Sequence, residues 1–134
     1  MKQSKQLISN TYHFSVPSPP SKLELILKRN ARNLHSISQG TYTLADYKIN
    51  GYPHWIQESG DFALWFSKGS SAWEVGKYNY LGEDQGHIIG PYGNDEFPNR
   101  ISRGWIYGDQ TKYLSTGDPW KSAYSDEVIF KALT

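Results

Sequence analysis

From Gly40 to Tyr124 a turn signal recurs roughly every 8–12 residues, and each interval holds a short aromatic or β-branched run. That rhythm leaves no room for helical crossovers and predicts an antiparallel β-fold rather than βαβ units. Asn50-Gly51 is the strongest signal, because both residues tolerate positive φ and the pair suits a tight hairpin. The expected strands are Thr41–Tyr47, His54–Gln57, Phe62–Phe66, Ala72–Gly76, His87–Ile89 and Trp105–Tyr107. Phe62–Phe66 is nearly all apolar and is expected to be the most buried. Glu127–Leu133 fits either a strand or a helix.

A chain of 134 residues is one domain's worth of sequence. Aromatic residues make up 15% of it, alongside twelve Gly and seven Pro, a balance that suits pleated surfaces separated by tight turns. The expected class is therefore mainly β: a compact antiparallel sheet or meander, or a small barrel, with one N-terminal helix. Three segments are read: an extended Pro-rich arm over 1–20, an amphipathic helix over 21–35 and a β-rich domain over 36–134.

The helix is expected because Ser21-Lys22-Leu23-Glu24 matches a capping box. Leu23, Leu27, Ala31 and Leu34 then form an apolar stripe that should pack inward. Lys28, Arg29 and Arg32 fall near its end, where cations complement the helix dipole, and should face outward. In the arm, Val16-Pro17-Ser18-Pro19-Pro20 favours an extended path. Tyr12, Phe14 and Val16 alternate ahead of it. They suit a short edge strand or an arm laid on a protein partner, with a solvated tail as the alternative.

Fourteen basic and thirteen acidic residues leave a net charge of +1, so no global field draws in nucleic acid, and none is expected as a partner. The absence of cysteine excludes disulfides, thiolate nucleophiles and Cys-based metal centres. It also favours an intracellular or organellar setting. No stretch approaches the roughly 20 apolar residues of a membrane span. The first ten residues lack the apolar core of a secretory signal.

Read in order, Gly40-Thr41-Tyr42, Asn50-Gly51-Tyr52-Pro53, Ala63–Phe66, Trp73-Glu74-Val75-Gly76, Gly86-His87-Ile88 and Gly104-Trp105 form a pattern. It resembles a small Gly/Trp-rich β-module that is repeated in large multidomain proteins of protists and invertebrates. The resemblance covers residues 40–124 and implies a β-fold without a defined common activity. This chain departs from it in having a single copy and in adding the arm and helix.

The four histidines, at 13, 35, 54 and 87, show no metal-ligand spacing, and no phosphate loop, dinucleotide fingerprint or nucleophile elbow occurs. No catalytic residue, metal site or cofactor is assigned. Gly82–Gly86 and Gly93–Glu96 are acidic loops that lack the spacing of a calcium loop and read as solvated turns. Paired carboxylates for glycoside hydrolysis assemble only in space, so a small hydrolase stays open as a third reading. Five Trp and ten Tyr exceed what one small core was expected to absorb. Trp65, Trp73 and Trp105 are assigned to the core, and Tyr52, Tyr78, Tyr80, Tyr92 and Tyr107 to the surface. The leading expectation is a non-enzymatic protein-interaction module, an accessory subunit of a larger assembly. The alternative is glycan binding through Tyr52, His54, Asn94 and Tyr107.

Overall fold

In the computed structural model, which describes residues 18–109 and 118–133, nine antiparallel strands form a single sheet. They are β1 (Lys22–Leu27), β2 (Gly40–Leu44), β3 (Trp55–Gln57), β4 (Phe62–Ser67), β5 (Ala72–Lys77), β6 (Ile88–Ile89), β7 (Ile106–Gly108), β8 (Trp120–Ser122) and β9 (Val128–Leu133). One helix, α1 (Arg29–His35), runs into a 3-10 turn at Ser36–Ser38. Tyr12, Phe14 and Val16 lie outside the described residues.

Strands β1 to β8 form a meander, and β9 returns to the free side of β1. This order forces curvature. Laid flat, nine strands would separate β8 from β9 by about 38 Å. Yet only residues 123–127 join the two, and they reach at most about 20 Å. The sheet therefore curls into a half-barrel, and Trp105 meets Phe130 across its interior with ring centroids 5.0 Å apart. The core inside this curve includes Leu23, Tyr42, Trp55, Trp73, Ile88 and Val128.

The helix expected over 21–35 is corrected. Residues 22–27 are a strand, paired to β2 on one side and β9 on the other, and the helix follows it rather than preceding the sheet. Leu23, Leu25 and Leu27 alternate inward and are all buried. A spacing of four residues fits both a helix face and a strand face, so Leu23 and Leu27 cannot discriminate; Leu25 can. Lys28, Arg29 and Arg32 are exposed as expected, but Leu34 is exposed as well.

Four tryptophans are fully or almost fully buried: Trp55, Trp65, Trp73 and Trp105. Each indole N–H donates to a carbonyl outside the strands: Trp55 to Pro20 (2.8 Å), Trp65 to Glu83 (3.0 Å), Trp73 to Glu96 (2.7 Å) and Trp105 to Ile101 (2.9 Å). A buried indole needs such a partner, and here each one staples a loop to the sheet. The aromatic excess is thus largely structural. It fits because the sheet is covered on both faces where β4 and β5 meet. Residues 78–86 fold over the outer face and bury Trp65 and Glu74 there, while Leu64, Phe66, Trp73 and Val75 fill the inner core.

Candidate functional site

The β2–β3 hairpin turns at Asn50-Gly51, both at positive φ, with Ile49 and Tyr52 exchanging backbone hydrogen bonds of 3.0 and 2.9 Å. Further in, Leu44 pairs with Trp55. Residues 45–48 therefore stand opposite only residues 53–54, and the longer arm bulges. Pro53 sits in the shorter arm, facing the bulge. The bulge is also why the strand expected over 41–47 stops at Leu44.

Bulges re-aim side chains, and this one pushes Tyr47 out over the outer face. Leu44, Ala45, Asp46, Tyr47, Lys48, Pro53 and Pro19 line a shallow open cleft of about 180 Å³. Tyr47 is half exposed and its hydroxyl lies 3.4 Å from that of Tyr78, which is exposed too. The hydrogen bond to Tyr78 is the main cause that raises the Tyr47 pKa, followed by burial. The frame is fixed more firmly than its tyrosines. Ala45 N–H donates to the His54 carbonyl at 2.9 Å, and the Asn50 amide donates to the carbonyls of Phe66 and Gly82 at 3.0 Å each.

Behind Tyr47 lies His54. Its ring is completely buried, and neither nitrogen meets a hydrogen-bond partner among the described residues. The Tyr47 ring stands edge-on to it with centroids 4.8 Å apart. Burial lowers the His54 pKa and so favours the neutral imidazole.

Of the four residues proposed for glycan contact, Tyr52 reaches the loop that holds Asn94, while His54 and Tyr107 are buried elsewhere. Tyr52 stacks on Phe66 at 4.2 Å, and its hydroxyl donates to Asp95 at 3.3 Å. Asn94, in the same loop as Asp95, accepts the Glu96 amide at 3.0 Å. His54 is buried behind Tyr47. Tyr107 is buried beside α1, where the Asn30 amide donates to its hydroxyl at 3.3 Å and burial first of all raises its pKa to about 12. Tyr78, Tyr80 and Tyr92 are exposed as expected; Tyr107 is not. Tyr47, which belongs to the cleft, was missed, although Pro53 inside a hairpin arm was the signal for it.

Two polar clusters lie away from the cleft. Ser38 Oγ and His87 Nε2 are 2.6 Å apart, and His87 packs against His35 with centroids 4.8 Å apart. Burial, then the nearby His35, pushes the His87 pKa down to about 4. The distance suits a nucleophile and its base, but Ser38 is fully buried, and the bond ties the 3-10 turn to the segment that enters β6. In the second cluster Glu74 is fully buried on β5, accepting from the Ser70 hydroxyl and, at 2.8 Å, from the Gly86 amide. Burial, with Asp84 alongside, pushes its pKa up to about 7. A side chain at Gly86 would strike Glu74 Cβ at 2.7 Å, so only glycine permits this clasp.

Among the described residues no three His, Asp or Glu side chains gather as metal ligands, and no helix is long and apolar enough to cross a membrane. Neither a protein-family model, nor a curated protein, nor a solved structure matches this chain.

Proposed function

We propose that this chain is a non-enzymatic protein-binding module that takes an extended, proline-containing peptide of a partner protein in the Tyr47 cleft. The observation that carries the reading is the pair of exposed tyrosines, Tyr47 and Tyr78, beside an apolar trough on a hairpin held rigidly at its tip. Extended proline-rich segments lose little entropy on binding and pack against aromatic-lined grooves. A preformed frame spares the module the ordering of a mobile loop. Sugar recognition needs several polar groups converging on one ring, whereas this lining offers two charged side chains, Asp46 and Lys48, among apolar ones. An accessory place in a larger assembly agrees with this reading. So does the resemblance to modules that recur in multidomain chains without a shared chemistry.

The reading is tested by probing the full chain in parallel on an array of proline-containing peptides and on a glycan array. Binding to a subset of peptides that disappears in Tyr47→Ala supports it. Binding to glycans alone, or peptide binding indifferent to Tyr47→Ala, refutes it.

A further inference from the structure

The outer face at the base of the hairpin combines three features that are seldom found together. His54 is fully buried, and neither ring nitrogen has a hydrogen-bond partner among the described residues. A buried polar group without partners is unstable relative to one that reaches water. The side chain that shields it, Tyr47, is 48% exposed and contributes its ring edge and one long hydroxyl contact to Tyr78. The backbone on either side is fixed by Ala45 to His54, by Ile49 with Tyr52 and by Asn50 to β4 and Gly82. These hydrogen bonds hold the backbone frame, whereas Tyr47 is a half-exposed side chain in ring contact with His54, so Tyr47 can open while the frame stays in place.

We propose that Tyr47 is a gate over His54, and that protonation of the imidazole swings it outward and dismantles the tyrosine wall of the cleft. An imidazolium carries two N–H donors and a charge, none of which this enclosure can satisfy. Among the described residues burial alone acts on the His54 ring, and no charged group adds to it. Trp65 on β4 carries no charge, and the charged side chains on the adjoining elements, Asp46 and Lys48 in the bulge and Lys77 before Tyr78, are exposed to solvent. Burial is correspondingly the cause of the lowered His54 pKa. Acidification should therefore admit water to His54 by displacing Tyr47, the least constrained group around it. If the cleft binds peptide as proposed above, the same event releases the peptide on acidification; that consequence rests on the proposed function, whereas the gate does not.

The gate is read without any ligand, by ring NMR of the full chain labelled at histidine and tyrosine, titrated from pH 8 to pH 4. The expected result is a His54 midpoint below the ordinary histidine value of about 6.5, with the Tyr47 ring resonances moving at that same midpoint while the core tryptophan signals stay dispersed. In Tyr47→Ala the His54 midpoint should return to about 6.5, and in His54→Phe the Tyr47 transition should vanish. The proposal is overturned if Tyr47 stays unmoved while His54 titrates, if the midpoint is the same in Tyr47→Ala, or if the core signals collapse together with Tyr47. A gate that behaves as expected in a protein that binds no peptide would leave the gate standing and refute the binding reading alone.

Discussion

Glu127 Oε2 accepts the backbone amide of Ala31 at 2.9 Å across 96 residues of chain. Helix α1 begins without a side-chain cap of its own, and its first residue, Arg29, lies at a φ of 55°. The missing cap comes from the other end of the sequence. Glu127 is buried, its second oxygen accepts the Tyr124 amide at 3.0 Å, and its carbonyl accepts the Lys28 amide at 2.9 Å. One side chain thus joins the start of the helix to the β8–β9 turn, where the curled sheet brings its edges together.

Glu127→Ala should destabilise the protein by about 2–3 kcal/mol, because it strands two amides away from water. Arg29→Gln, which breaks the exposed pair with Asp126 and the contact of the guanidinium with the Tyr124 ring at 5.0 Å, should shift the denaturation midpoint far less than Glu127→Ala does. Chemical denaturation of the two variants side by side checks both expectations.

Leu25→Ala should cost about as much as Leu27→Ala, roughly 2–5 kcal/mol each, since both side chains are almost wholly buried in β1. A helix over 21–35 would put position 25 off the apolar stripe and make its substitution nearly silent. Leu34→Ala, at an exposed site, should stay within about 0.5 kcal/mol of wild type. Urea midpoints for the three variants separate a strand from a helix directly.

Glu74 gives stability a dependence on pH that can be isolated. Its folded pKa is raised to about 7 against an ordinary value near 4.5, so the folded state holds a proton that the unfolded chain releases. Its contribution is therefore fully present below about pH 4.5 and is lost as pH rises through 7. His54 and His87 act with the opposite sign. Their folded pKa values are lowered, so their contribution is present above about 6.5 and is lost as pH falls below it. Glu74→Gln should cancel the first effect alone. The stability difference between variant and wild type should move in the variant's favour from pH 4.5 to pH 8, by on the order of 3 kcal/mol. Thermal melts at half-unit pH intervals measure it; a flat difference contradicts the assignment.

Much of the fold is legible in single residues. Asn50-Gly51 marks a turn because its positive φ angles admit few other pairs, and Phe62–Phe66 reads as buried because no polar residue interrupts it. Strand β1 was misread because Leu23 and Leu27 suit two periodicities and Ser21 with Glu24 imitates a cap. Trp65, Trp73 and Trp105 read as core and are buried, but how many aromatics the domain absorbs is not legible, because sequence does not reveal that residues 78–86 cover the outer face. The site was least legible of all. Tyr47 and His54 meet because residues 45–48 bulge opposite residues 53–54, so the contact depends on register rather than on residue type. Likewise Tyr107 resembles a surface aromatic until α1 packs over it.

The claim that the Tyr47 cleft holds a protein partner is tested most directly by the size of the native assembly. The full chain, expressed at its natural level in its own cells, is followed by sedimentation of the cleared extract, as wild type and as the Tyr47→Ala, Tyr78→Ala double variant. Wild type should sediment well ahead of a 15.3 kDa monomer, and the double variant, with an unchanged melting curve, should fall back to the monomer position. A double variant that still travels with the assembly, or a wild type that sediments as a monomer, would contradict the account.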